Sequence, residues 1–75
     1  MKAYILVNVR VGKIRGVVEK VRGVPGVQTA HACWGRPDVV AMVDVKDAGT
    51  LADTVMTKIQ GIDGVESTDT RIVIE

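Results

Sequence analysis

The chain has 75 residues, with 10 Lys and Arg against 9 Asp and Glu, and a formal net charge of +1. One cysteine excludes an internal disulfide, no Cys/His cluster has zinc spacing, and no basic run marks a phosphate-binding surface. No stretch approaches the roughly 20 apolar residues of a membrane span, and "AYILVNV" is not followed by a small-residue cleavage site, so a soluble cytoplasmic protein is expected.

A chain of this length reads as one domain over residues 1–75. Residues 2–10, "KAYILVNVR", are aliphatic and β-branched and predict a strand. Residues 13–22 place Ile14, Val17, Val18 and Val21 on one helical stripe. Gly23 then stands at the position where helices often end with positive φ, and Pro25 cannot continue the helix. Residues 27–34, "VQTAHACW", predict a second strand, "GRPD" at 35–38 a turn, and "VVAMVDV" at 39–45 a third strand. A second helix is expected over 50–60, with Leu51, Val55, Met56 and Ile59 as its apolar stripe and Thr50 with Asp53 as a capping-box-like start. Residues 65–75, "VESTDTRIVIE", predict the fourth strand.

Two stretches are spelled almost alike: "VRGVPGVQTA" at 21–30 and "IQGIDGVEST" at 59–68. Each reads as a helix end, an apolar residue, a turn closed by glycine, and the start of a strand. The order is therefore strand–helix–strand, twice. Two such units make an α+β, ferredoxin-like βαββαβ fold, an antiparallel four-stranded sheet with both helices on one face. Val24 and Ile62, between the glycines of each copy, are expected to fold back onto the helix ends.

One layer of helices covers one face of a sheet. Yet the third strand is apolar at Val39 through Val43, and the first strand puts Ile5, Val7 and Val9 on one face but Tyr4 and Leu6 on the other. Strands apolar on both faces are covered on both faces. A domain this small also rarely draws more than ~3–5 kcal/mol from one core. A second subunit over the open face answers both points.

Catalytic chemistry is sparse. His31 and Cys33 lie two apart on a strand and share a face, half of a metal site that a dimer would have to complete, or simply a strand face. No phosphate loop follows the first strand, and the stacking aromatics of an RNA-binding sheet are missing, so no catalytic residue, metal, cofactor or direct nucleic-acid contact is assigned. Two stretches suit a small ligand. In "WGRPD", Gly35 exposes backbone and Asp38 offers a carboxylate. In "STDT", Thr68 and Thr70 alternate onto one face with hydroxyls that donate or accept. A free amino acid needs such a set: an acid for its amine, and N–H and hydroxyl donors for its carboxylate.

The pattern "GVPGVQTAHACWGRPDVVAMVDVKD", followed by "IDGVESTDTRIVIE", resembles the regulatory domain of the Lrp/AsnC family of transcription regulators across nearly the whole chain. The resemblance rests on the two x-G-V turns, on Gly35 and Asp38 as Gly-x-x-Asp, and on the closing Thr68, Thr70, Ile72, Val73, Ile74 and Glu75. It implies a non-catalytic domain that dimerises through its sheet. It implies dimers joined into octameric rings, with free amino acids bound between dimers. Gly35, Asp38, Thr68 and Thr70 carry over as effector-site candidates. Family members commonly have an aromatic residue where this chain has Pro37, which bears on effector choice. The first strand starts at Met1, so a stand-alone regulatory module without a helix-turn-helix is expected, assembling with full-length relatives. On this reading Asp38→Ala abolishes effector binding and leaves the fold intact. The other readings are an oligomerisation scaffold without a ligand and a small dimeric α/β-barrel enzyme that would use His31 or Trp34.

Overall fold

The computed structural model describes residues 1–75. The elements are β1 (Lys2–Val9), α1 (Ile14–Arg22), β2 (Val27–Ala32), β3 (Val39–Asp44), α2 (Ala48–Asp53, continuing without a break as a π-helical segment Thr54–Ile59) and β4 (Val65–Ile72). The sheet order is β2-β3-β1-β4, and every pairing is antiparallel. This is the ferredoxin-like arrangement that two strand–helix–strand units produce.

The period of two divides β1 cleanly. Ala3, Ile5, Val7 and Val9 are buried, whereas Tyr4, Leu6 and Asn8 are not. Across the sheet, Ile5 stands opposite Ala41 and Val7 opposite Val39, and Ala30 of β2 continues the Ala41 row. Val17, Val18 and Val21 of α1 and Leu51, Val55 and Ile59 of the second helix close over this face. All of the buried apolar cluster lies on that side.

The repeat is a pair of matching turns. The Val27 N–H donates to Val24 C=O at 3.1 Å, and the Val65 N–H donates to Ile62 C=O at 3.1 Å. Gly26 and Gly64 stand at the third position of these turns with φ of +93 and +102. A turn with positive φ there is type II, which also favours the Pro25 found at its second position. Val24 and Ile62 do pack back on the core. Gly23, by contrast, is right-handed, with φ of −86, so the positive φ falls three residues later than the helix end suggested.

Four other details depart from the sequence reading. β2 ends at Ala32 and β4 at Ile72. The second helix begins at Ala48, capped by the Asp47 carboxylate, which accepts from the Thr50 N–H at 2.8 Å. Asp, like Ser and Thr, is a strong N-cap because its oxygen satisfies a free N–H of the first turn. In the π segment, where Gln60 N–H reaches Val55 C=O, the helix winds more residues per turn, so Thr54 is buried and Met56 is 67% exposed. Finally, the register shifts between Asn8 and Val9, which pair with Ser67 and Val65 and leave Glu66 as the extra residue. That bulge turns Val65 onto the helix face with Thr68 rather than beside Ser67.

The opposite face has no covering layer. Leu6, Val40 and Met42 are half-buried there and Tyr4 is 45% exposed, all in the middle two strands.

Candidate functional site

The loop between β2 and β3 is fixed by its own backbone and by one carboxylate. The Cys33 N–H donates to Asp38 C=O at 2.7 Å, closing the loop, and the Asp38 N–H donates to Val7 C=O at 3.0 Å. Asp38 is only 9% exposed, and its Oδ2 accepts from the Val9 N–H at 2.8 Å. The same oxygen lies 3.5 Å from the Arg36 guanidinium. Arg36 also reaches across to Glu66 Oε1 on β4, at 3.4 Å. An arginine thus bridges an acid of the loop and an acid of β4. The loop backbone it spans includes Gly35, with φ of +117, a cis Arg36–Pro37 bond and a fully exposed Trp34.

Thr68 and Thr70 are half-buried on the helix face of the edge strand β4, opposite Val7 and Ile5. The Thr68 Oγ1 accepts from Gln60 Nε2 at 2.8 Å, tying β4 to the end of the π segment. Thr70 borders a shallow groove of about 280 Å³, whose other walls are apolar residues such as Leu51, Val55, Met56 and Ile72.

Within one chain, then, Gly35 and Asp38 share a loop at one end of the sheet. Thr68 lies in the row Thr68–Val7–Val39, which puts it two strands, roughly 10 Å, from Val39. Its side chain points to the helices, and Thr70 is one step further along the strand. The Arg36–Glu66 bridge is what links the loop to β4. Sequence reading passes over Arg36, although it stands inside "GRPD", and also over Glu66 and Gln60. Their roles rest on partners 30 and 8 residues away, which no local pattern displays. His31 and Cys33 are both exposed, and no three His, Cys, Asp or Glu side chains converge on one point. No helix is long and apolar enough to cross a membrane.

Two further acids have carboxyls held below the usual range. The backbone N–H of Thr50 does this at Asp47. At Asp63, which lies in the second turn, the cause is hydrogen bonding and charge from Lys13, with Arg10 adding to it; their distances are 3.2 and 3.4 Å. Both acids serve element ends rather than the loop.

The family model for the Lrp/AsnC ligand binding domain matches residues 2–75. Among curated proteins, the uncharacterised HTH-type transcriptional regulator PH0140 of Pyrococcus horikoshii is 34% identical over 71 residues, which is 95% of this chain and 45% of that protein. The chain spans about half the length of the curated relatives it matches. Among solved structures, TTHA0845 from Thermus thermophilus superposes with a TM-score of 0.93 at 30% identity, covering 99% of this chain and 92% of that one. The regulator NMB0573 of Neisseria meningitidis, solved as a complex with L-Met, shares the fold with a TM-score of 0.86 at 22% identity, over 99% of this chain and 49% of that one.

Proposed function

This chain belongs to the Lrp/AsnC ligand-binding-domain family, and from that premise we propose that it binds a free amino acid, assembles into homo-oligomers, and acts on transcription through those assemblies, full-length relatives included. The observation that carries the reading is the charged cluster at the β2–β3 loop. The Arg36 guanidinium lies within about 3.5 Å of both the Asp38 and the Glu66 carboxylates, so charges of both signs stand beside the exposed backbone of Gly35. An amino acid is a zwitterion, so it needs both signs plus donors for its carboxylate. Its ammonium competes with Arg36 for an acid, and its carboxylate takes the guanidinium so released or a loop N–H.

Thr68 and Thr70 complete the site from a neighbouring copy, because in their own chain they face the helices. The related regulator solved with L-Met supports an amino acid as the ligand class. The half-exposed apolar middle of the sheet supports self-association as the other half of the function.

The test is a titration with each common amino acid, following Trp34 fluorescence and melting temperature together. Trp34 adjoins Gly35 and is the chain's one tryptophan, so occupancy of the loop alters its emission. A ligand at ~100 Kd adds about 2.7 kcal/mol of stability. One or a few amino acids are expected to move both signals. If none does so at millimolar concentration, the amino-acid reading is wrong.

A further inference from the structure

The π segment turns a methionine out of the core. Counted at 3.6 residues per turn, Met56 belongs with Val55 and Ile59 on the buried stripe. Wound more widely, the helix buries Thr54 instead and leaves Met56 67% exposed. A methionine so exposed contributes little to folding. π-helical turns interrupt α-helices frequently at functional sites, so what Met56 borders is informative.

It borders the groove of about 280 Å³ that Thr70 also lines. Leu51, Val55 and Met56 of the helix stand on one side, and Thr70 and Ile72 of β4 on the other. Ala48 and Ala52 complete the lining and are too short to fill the space. Thr70 supplies the one hydroxyl, and no charged side chain lines the groove. The helix has two charged residues, Asp53 and Lys58, and these face each other at 3.8 Å. Because β4 is the edge of the sheet, no further strand closes the groove, and Ile72 is 50% exposed at its rim.

Resting on the amino-acid site proposed above, we infer that this groove takes the ligand's side chain and that Met56 sets its class, an aliphatic or thioether side chain. The ligand's ammonium and carboxylate stay with the loop charges of one copy and the Thr70 hydroxyl of its neighbour. The groove is continuous with Thr70 and receives what projects from the α-carbon. An aliphatic chain leaving water there gains about fourfold in affinity for each methylene buried. A charged or amide side chain loses its water and finds no partner on the walls. Methionine is unbranched and polarisable and repacks around chains of different shape, so Met56 selects a class rather than one member of it.

The test is isothermal titration calorimetry with alanine, 2-aminobutyrate, norvaline and norleucine, and with lysine, which is norleucine carrying a terminal amine. The proteins are the wild type, Met56→Ala and Met56→Glu. Met56 is exposed, so the variants fold, which circular dichroism checks. In the wild type, affinity is expected to rise about fourfold with each added methylene, and lysine to bind about tenfold or more weakly than norleucine. Met56→Ala is expected to flatten the rise. Met56→Glu is expected to reverse the order and place lysine above norleucine, since a carboxylate then stands at the groove. A flat series, lysine as tight as norleucine in the wild type, or variants that keep the wild-type preference would each overturn the groove and leave amino-acid binding in place. A Met56→Glu protein of lower molar mass than the wild type without any amino acid would mark the groove as a contact between copies, and overturns the inference too. Binding of no common amino acid at all overturns the reading on which it rests.

Discussion

Asp38 holds the fold together at the very position proposed to bind the ligand. Its carboxylate is nearly buried and accepts the Val9 N–H, so it holds the end of β1 as well as facing Arg36. Asp38→Ala therefore does not leave the fold untouched. It strands a buried donor, at a cost of about 1–3 kcal/mol in a urea unfolding curve. Asp38→Asn keeps a carbonyl oxygen for Val9 and loses the charge, so it is expected to cost less stability than the alanine while still weakening amino-acid binding. Equal stability losses in the two variants would show that the hydrogen bond to Val9 contributes nothing. Two glycines make a second residue-scale comparison. Gly64 has positive φ, and a Cβ there would lie 2.6 Å from Lys13 Cβ, so Gly64→Ala is expected to destabilise by more than about 1 kcal/mol. Gly16 lies in α1 with nothing within 4 Å of such a Cβ, so Gly16→Ala is expected to stabilise by roughly 0.5–1 kcal/mol. The turn glycines were legible in the sequence because the turn was spelled twice. The second task of Asp38 was not, since its partner is 29 residues away and local spacing says nothing of it.

At the scale of elements, the second helix carries the main lesson. A stripe counted at 3.6 residues per turn assigns Met56 to the core. The π segment breaks that count, and Thr54 takes the inward place. Ile59, fully buried, is unaffected by the change. Ile59→Ala is accordingly expected to cost about 2–5 kcal/mol, and Met56→Ala to stay within about 0.5 kcal/mol, both by urea titration. Equal losses would restore Met56 to the core. The bulge at Glu66 is a similar case, since a single extra residue moves Val65 from one face to the other, and nothing in "VESTDT" announces it. The sequence reading puts the helix start at Thr50; Asp47 is an equally good cap type, and the bond from the Thr50 N–H makes Asp47 the cap. That cap and the Asp63 cluster also set an acid limit. Both carboxyls are held below their ordinary 3.8 in the folded chain. Their contribution is full above that value and is lost as pH falls through the lowered folded values. Melting temperature should thus fall more steeply below pH 4 for the wild type than for a variant carrying Asp47→Asn and Asp63→Asn. Parallel acid limbs would remove these two groups as the cause.

For the whole molecule, the fold was the most legible part. Aliphatic, β-branched runs in β1 and β3, one clear stripe in α1, and a repeated turn leave few arrangements of four strands and two helices. The open sheet face was legible too, because Tyr4, Leu6, Val40 and Met42 break the rule that an uncovered face is polar. The candidate ligand site was legible only as residue types. Gly35 and Asp38 lie in one loop, while Thr68 and Thr70 point toward the helices of their own chain, so the site as proposed depends on a second copy. On the proposed reading, ligand binding and assembly are one property, and a single experiment reaches both.

That experiment is the molar mass of the protein in solution at micromolar concentration, by light scattering, with and without each common amino acid. A dimer or larger species is expected throughout, with a change of mass or of self-affinity on adding at least one amino acid. A monomer under every condition would contradict both the assembly and the site that depends on it.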